Sequence, residues 1–524
     1  MTGMGKTEAH ENFTGSRNGT GYSGRTAERS SAAASAPQTP AAALAELMPG
    51  VSAGRPADTG VPAPLSAAFL APGRRSFFNS AFAVFLVALV LRLVFAWSGI
   101  TGEIQGCFIR PDSAGYLAPA VSLMDSGEYR GPDGALTAHR TPGLPSFLAV
   151  LITFGVRPAA ESDTVWLSVI LLILGALTIF PVYCSCRYFS GRTCSAAAAL
   201  LFAMNPTAVA HAPMLLSDTF FMLLTAFVLF FFISYAYGMR HDLFYFYSAA
   251  TLAALSALVR PVGLFFFLPL IAALFLTADK RTFRQKAVMS AITCLIFFAV
   301  LLPWILRNHS IGAGWRLDAG SATTMVHNAS ALESVVMGTD GDTLRRRYEE
   351  QFRMEYEADP LRYNTDGAKM DHVEKTMASK ILAHPVRYIL LSLRPWVFLP
   401  DIPTFLEIQG VTQTERGTFD VLNREGIFAA VAHYFDGNGL ALLGTLPLLI
   451  GVLILYLAAV AGFILAIRRK QWLTAFLLFA FGLYFTLMTG PVQMPRYQMP
   501  ALPVLCVLAA ITFQTLAARR CEGK

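Results

Sequence analysis

The side chains best suited to chemistry in this sequence are a few acids and arginines set beside apolar runs. Arg92 lies late in the first run and Asp112 follows it. Asp218, in LLSDTFF, opens a later run, and Arg260, in LVRPVG, joins two others. Arg307, in LPWILRNHS, ends another, and Arg496, in MPRYQMP, opens the last. Ionisable groups at membrane depth are costly and mark function by default. Each also has a plainer reading: an acid at a helix start caps it, and an arginine near a boundary snorkels to lipid headgroups. Gathered at one level, they point to a single outward-facing polar site. Arginine forks match phosphate geometry, and a boundary carboxylate can deprotonate an acceptor hydroxyl as general base. The chemistry that suits such a set is transfer from a phosphorylated lipid whose tail stays in the bilayer.

Those groups need a scaffold that brings scattered segments together. Of 524 residues, 54% are hydrophobic and 14% charged, where soluble domains carry about 25% charged residues. Apolar runs of spanning length recur throughout. The fold class expected is therefore all-α, a polytopic transmembrane helical bundle of about ten spans. The runs fall at 77–98, 164–186, 194–210, 216–237, 243–259, 261–278, 287–306, 441–467, 471–489 and 497–518. With a cytoplasmic N-terminus, Arg74, Arg75, Arg187, Arg192, Arg240, DKRTFRQK at 279–286, RRK at 468–470, Arg519 and Arg520 all fall inside. The short opposite loops, HAPM at 211–214 and GPVQMP at 490–495, carry no Lys or Arg. That is the positive-inside pattern; a miscount of two spans would invert the halves. The net charge of +7 thus concerns topology, and no nucleic-acid partner is expected.

This topology places residues 99–163 and 307–440 outside. The first segment carries RPDSAGYLAPAVSLMDSGEYRGPDGALTAHRTPG at 110–143, in which Arg140-Thr-Pro-Gly alone reads as a turn with an exposed cation. Residues 143–156 are apolar but short, so a helix lying at the interface is expected there rather than a crossing. The larger segment contains the charged, helix-compatible DTLRRRYEEQFRMEYEADP and the aromatic HPVRYILLSLRPWVFLP, the latter suited to the membrane surface. Residues 1–75, rich in Ala, Gly, Ser, Thr and Pro, read as a disordered cytoplasmic tail. They are not a secretory signal, because the first apolar run begins only near Phe77 and is long enough to span. The expected organisation is then a membrane module at 76–306, an outer region at 307–440, closing helices at 441–518 and a short cytoplasmic tail at 519–524. Six of the seven cysteines lie in or beside apolar runs. No disulfide framework is expected, and Cys184-x-Cys186 reads as packing. NHS at 308–310 and NAS at 328–330 are glycosylation sequons by pattern.

Several ordered segments resemble the bacterial glycosyltransferase family 39. These proteins belong to the integral-membrane, polyprenyl-phosphate-sugar-dependent transferases, which include protein mannosyltransferases and the lipid A aminoarabinose transferase. DSAGYLAPAVSLMDSGEY is similar to the family's first outer loop, an acid followed by a helix closing on Gly, and HRTPGLPSFLAV to the segment after it. LLSDTFFMLL, LVRPVGLFF and LPWILRNHSIGAGW resemble its middle spans, and PRYQMPALPVLCVLAA the start of its last. The resemblance runs from about residue 78 to 518, most of 320–440 excepted. It implies Asp112 as catalytic base, Arg140 as a cation near the lipid phosphate, and Arg496 and Tyr497 beside the same phosphate. Asp218 matches an acidic position at the outer end of a span. Many relatives carry a second acid beside the first; here Ser113 follows Asp112, which leaves Asp112 the sole candidate carboxylate on this loop. Some relatives use a divalent metal and others do not, and the sequence offers no clear ligand set, so the cofactor stays unknown. His139 and His211 are outward but isolated.

The expected activity is an inverting transfer of a monosaccharide from a polyprenyl-phosphate donor to a glycolipid, protein or glycan acceptor, on the outer face of the plasma (inner) membrane. Asp112 would take the acceptor proton, supported by Asp218, while Arg140, Arg260, Arg307, Arg496 and Tyr497 hold the phosphate. Tyr116 and His139 are candidates for the substrate site. The rival readings are a transporter or flippase of lipid-linked anionic glycans, and a lipid-linked glycan polymerase or ligase. A transporter predicts charges deep in the spans and at both faces. The absence of an evident internal repeat also weakens one built on inverted halves.

Overall fold

Inside a bilayer a backbone must satisfy its own hydrogen bonds, so apolar runs fold as helices. The structure is a computed structural model that describes residues 74–522 apart from 105, 156–163, 239–240, 412–420, 422–423 and 436. Among these, every regular element is helical, and the one β contact is an isolated bridge between Arg130 and Leu136. The all-α expectation is borne out. Arg240 and the expected disordered tail lie outside the described residues, save that the first helix already begins at Arg74.

The elements that position the site are α1 (Arg74–Phe95), α2 (Ala114–Ser126) and α3 (Gly143–Thr153), then α4 (Asp218–Tyr237), α5 (Leu243–Val259) and α6 (Phe283–Ser310). Next come α7 (Gly320–Met337), α8 (Gly341–Ala358) and α9 (Asp366–Ala383), and finally α10 (Gly439–Arg468) and α11 (Leu502–Glu522). Six stretches are long and apolar enough to cross a membrane: Thr164–Arg187, α4, α6, α10, Trp472–Thr489 and Pro495–Glu522. The other four expected spans are shorter apolar helices, Asn79–Phe95, Arg192–Ala203, Leu243–Val259 and Pro261–Phe275. Backbone chemistry accounts for two of the interruptions. Pro206 follows the Arg192–Ala203 helix, which covers only ~18 Å at 1.5 Å per residue of a ~30 Å core. Pro261 and Gly263 form a single tight turn before the helix resumes at Phe267. Helix α3 has 11 residues, too few to cross, as expected for that stretch.

Antiparallel pairing of α4 with α5 sets the two ends of the bundle apart. At one end Asp218, opening α4, meets Arg260, which directly follows α5. At the other, Tyr235 near the end of α4 donates to Asp279, whose carboxylate also pairs with Lys286 at 2.9 Å on the first turn of α6. Helix α6 starts from a complete capping box between Thr282 and Gln285 and carries Arg307 to the Asp218 end. The bundle core is built largely from small side chains, with Ala249, Ala250, Ala253 and Ala254 of α5 all fully buried. Small residues let helix backbones approach closely where lipid gives no hydrophobic drive.

Helices α7, α8 and α9 make a second, separate core from Ala322, Val326, Leu344, Tyr348, Phe352 and Met377. Buried Glu333 ties it together, accepting from the Tyr348 hydroxyl and pairing with Lys380 at 3.1 Å. Both sequon asparagines are buried. The Asn308 amide donates to the Arg316 and Leu317 carbonyls, each at 3.1 Å, and Asn328 accepts from the Val492 N–H at 3.2 Å. The short helix Pro385–Ser392 exposes Val386, Ile389 and Leu390, a face that fits the membrane-surface position expected of this stretch.

Because the α7–α9 layer has its own core, Phe352→Ala should loosen it by about 3–5 kcal/mol without opening the bundle. Limited proteolysis of detergent-solubilised protein should then cut within residues 320–383 while the membrane fragments persist.

Candidate functional site

Asp112 sits in the turn that links α1 to α2. The Ser113 N–H donates to the Arg110 carbonyl at 2.8 Å, and the Arg110 N–H donates to the Ser113 hydroxyl at 2.9 Å. Ser113 is buried. Ser113 is thus a neutral residue that braces the turn. The cap position of α2 is Ser113 rather than Asp112, so the Asp112 carboxylate is left to face other partners. They are Arg140, 2.7 Å from Oδ1, and Arg496, 3.5 Å from Oδ2. Gly127, with φ 71, closes α2 in the left-handed conformation, which glycine adopts without steric cost.

Arg140 is placed by the segment returning from α2. The Tyr129 hydroxyl donates to the Arg140 carbonyl at 3.0 Å, and the Thr141 hydroxyl donates to the Val259 carbonyl at 3.0 Å at the end of α5. Its guanidinium lies over the Tyr116 ring, 5.2 Å from the centroid, and the Tyr116 hydroxyl meets Ser217 at 3.1 Å. Arg496 and Tyr497 come from a tight turn at Pro495–Ala501 that precedes α11. Tyr497 lies beneath Arg260 at 5.6 Å, and Arg260 pairs with the buried Asp218. Asp218, Arg260, Arg496, Tyr497, Phe221 and Phe485 line a narrow cleft of about 270 Å³ including its open mouth.

Five charged residues from five separate parts of the chain therefore meet: Asp112, Arg140, Asp218, Arg260 and Arg496. Three positive charges face two negative ones, which leaves the cluster at +1. The Nε–H groups of both Arg140 and Arg496 are buried without a partner. An unpaired buried donor costs free energy, and Arg92, Arg187 and Arg316 leave their Nε–H groups in the same state elsewhere in the chain.

Other sequence candidates stand elsewhere. Arg307 donates to the Tyr129 carbonyl at 2.9 Å and to the Thr137 carbonyl, over the Trp304 ring at 4.9 Å. It pins the 129–137 segment and makes no ion pair with Asp112 or Asp218. Arg92 is fully buried and bonds the Ala88 and Ala203 carbonyls at 3.2 and 3.3 Å, closing the end of the Arg192–Ala203 helix rather than facing outward. His139 adjoins Arg140; burial and that cation push its imidazole below the ordinary histidine range. His211 is not isolated, since its Nε2 lies 2.7 Å from Asp401.

Two acids escaped the sequence reading. Asp401, from residues 307–440, clasps His211, and Asp318 is buried, where desolvation pushes its carboxyl up to about 7. Asp318 appears in the sequence only as an acid shortly before a helix, a signal that any loop provides. Among the described residues no three His, Cys, Asp or Glu side chains gather as metal ligands. The donor set does not fit a divalent cation, because Asp112 and Asp218 each turn to guanidinium groups.

Residues 145–306 match the family described as Dolichyl-phosphate-mannose-protein mannosyltransferase. No curated protein matches the chain. Among solved structures, the archaeal oligosaccharyltransferase AglB from Archaeoglobus fulgidus, in complex with an inhibitory peptide and a dolichol-phosphate, is similar at 15% identity with a TM-score of 0.51. That likeness covers 86% of this chain and 52% of AglB, so the chain spans about half the length of that relative. ArnT from Cupriavidus metallidurans, bound to undecaprenyl phosphate, aligns over 86% of this chain and 62% of its own at 13% identity, with a TM-score of 0.43. The resemblance drawn from the motifs is borne out: the chain has the fold of the membrane oligosaccharyltransferase AglB, and its residues 145–306 match the dolichyl-phosphate-mannose-protein mannosyltransferase family.

Proposed function

We propose that the chain is an inverting glycosyltransferase of the plasma membrane. It moves a monosaccharide from a polyprenyl-phosphate donor to an acceptor hydroxyl or phosphate on the outer face, with Asp112 as general base. The observation that carries this reading is the placement of Asp112 between the guanidinium groups of Arg140 and Arg496, beside the Asp218–Arg260 pair. A phosphate matches that set better than a carboxylate, because it presents several oxygens to forked donors. The shared fold with AglB, whose structure holds a dolichol-phosphate, supports the same ligand class.

The steps follow from charge. The donor phosphate takes Arg140 and Arg496 as partners and so releases Asp112 from them. The freed carboxylate accepts the proton of the acceptor O–H, and the acceptor oxygen attacks the anomeric carbon. The bond from that carbon to the phosphate oxygen breaks, and its electron pair leaves with the polyprenyl phosphate. Arg140 and Arg496 stabilise the charge as it develops. Asp218 keeps Arg260 beside the cleft, where it adds positive potential. Tyr116 orients Arg140 from below, and Tyr497 does the same for Arg260. Arg307 acts indirectly, holding the segment that carries Arg140. The α7–α9 layer, which adjoins the site through residues 316–320, would shape the acceptor's approach.

Asp112→Asn should lower turnover by about 10²–10⁴-fold with polyprenyl-phosphate binding kept, measured by transfer of labelled sugar in membranes matched for protein level. Full activity in that variant would remove the general base. Arg140→Ala and Arg496→Ala should each lower kcat/KM for the donor by roughly 10–100-fold, the scale of one charge-assisted hydrogen bond. Cells lacking the gene should accumulate the polyprenyl-phosphate sugar, identified by mass spectrometry of membrane lipids.

A further inference from the structure

The end of the bundle away from the Asp218–Arg260 pair carries a run of cations, DKRTFRQK at 279–286, that the transfer chemistry does not use. Helices α5 and α6 both begin at this end and pack against each other, and a groove opens between their first turns. One wall is Leu243 and Tyr247, one turn apart on α5; the other is Arg284, Val288 and Met289 of α6, with Arg281 at the head. The groove has a volume of about 900 Å³ including its open mouth. Leu243 and Val288 are exposed, as are Phe244 and Phe283 beside them. A contiguous apolar patch of this kind marks a surface that a membrane or another apolar partner covers.

Charge is unevenly placed around the groove. Asp279 accepts from the Tyr235 hydroxyl and pairs with Arg281 at 3.2 Å and Lys286 at 2.9 Å. Arg281 also donates to the His241 carbonyl at 2.9 Å and lies 5.4 Å from the Tyr235 ring centre, so its guanidinium is held in place without a ligand. Asp242 caps α5, accepting from the Phe244 N–H at 2.9 Å. Thr282 and Gln285 close on each other in the capping box of α6, so side chains rather than a bare helix end supply the positive charge. Lys280, Arg281, Arg284 and Lys286 against Asp242 and Asp279 make four cations to two acids, a surplus of +2. Arg284 is exposed and has no hydrogen bond or ion pair among the described residues.

We propose that this groove binds an anionic glycerophospholipid of the leaflet opposite the cleft. Its phosphodiester is taken by Arg281 and Arg284, and one acyl chain lies between Tyr247 and Val288 toward Met289. The inference goes beyond the transferase reading and stands without it. A phosphodiester carries one negative charge on oxygens that suit forked guanidinium donors, and basic pockets between spanning helices take anionic headgroups. A lipid fits better than a soluble anion, because only a lipid covers Leu243, Val288 and Met289 along with the charge. A zwitterionic lipid brings its own cation to the two arginines and gains less. Because the ligand touches both helices, it ties α5 to α6 and raises thermal stability when bound.

The test uses the full chain in a neutral detergent, with dioleoyl phosphatidylglycerol as probe and native mass spectrometry to read the lipid bound. Wild type should hold it on the order of tenfold tighter than dioleoyl phosphatidylcholine, the scale of one charge-assisted hydrogen bond. Arg284→Gln should lose that preference. Val288→Trp keeps every charge but fills the groove, and should weaken phosphatidylglycerol by a similar factor. Arg519→Gln removes an exposed cation at the end of α11 away from the cleft, and should leave binding within about twofold of wild type. Equal losses in Arg284→Gln and Arg519→Gln would overturn the inference in favour of diffuse surface charge, and so would wild-type affinity in Val288→Trp. Glycerophosphoglycerol, the same headgroup without acyl chains, should not displace the lipid; full competition at equal concentration would make this a soluble-anion site and overturn the lipid assignment. Should Val288→Trp fail to fold, the comparison of Arg284→Gln with Arg519→Gln decides alone.

Discussion

The ion pair between Asp112 and its two arginines is the constraint from which the rest of this architecture follows. The three residues come from the first loop, from the segment returning after α2, and from the turn before the last helix. Charges near the membrane boundary commonly pair with one another, and here the pairing links all three segments. Pairing of Asp112 ties the first loop to the turn before α11, while Thr141 ties the Arg140 segment to the end of α5. The Asp218–Arg260 pair then closes the α4–α5 hairpin at the same level. Packing of small residues holds the helices together, and the charges decide which ends meet.

The helical class was legible because the bilayer requires long apolar runs, and ten of them stand out in the sequence. Their lengths were less legible. Pro206 and the Pro261–Gly263 turn interrupt runs whose hydropathy continues across the break, and hydropathy does not register a lost N–H or a rigid φ. A shared level along the membrane normal suggested grouping Asp112, Asp218, Arg260 and Arg496, and the family resemblance added Arg140; the structure brings those five together, while Arg92 of the same expected level is buried against the Ala88 and Ala203 carbonyls. Arg307 shares that level but spends its donors on backbone carbonyls, a choice made by local loop geometry. The His211–Asp401 clasp joins residues far apart in the chain, and no period or spacing encodes such a contact.

The buried sequons make the same point from the other side. NHS and NAS fit a surface pattern, yet Asn308 and Asn328 serve as internal cross-braces, one for the loop leading to Asp318 and one for the approach to the last helix pair. A pattern of three residues says nothing about whether its asparagine reaches solvent. Ser113 is a comparable case, since its hydroxyl shapes the turn that presents Asp112 instead of contributing a second charge.

One consequence of this pairing concerns the order of events. A base engaged by two cations is a poor proton acceptor, so Asp112 paired with Arg140 and Arg496 activates no acceptor. Under the transferase reading, competence arrives together with the lipid-linked sugar, which implies a compulsory sequence in which the donor is bound before any acceptor hydroxyl is deprotonated.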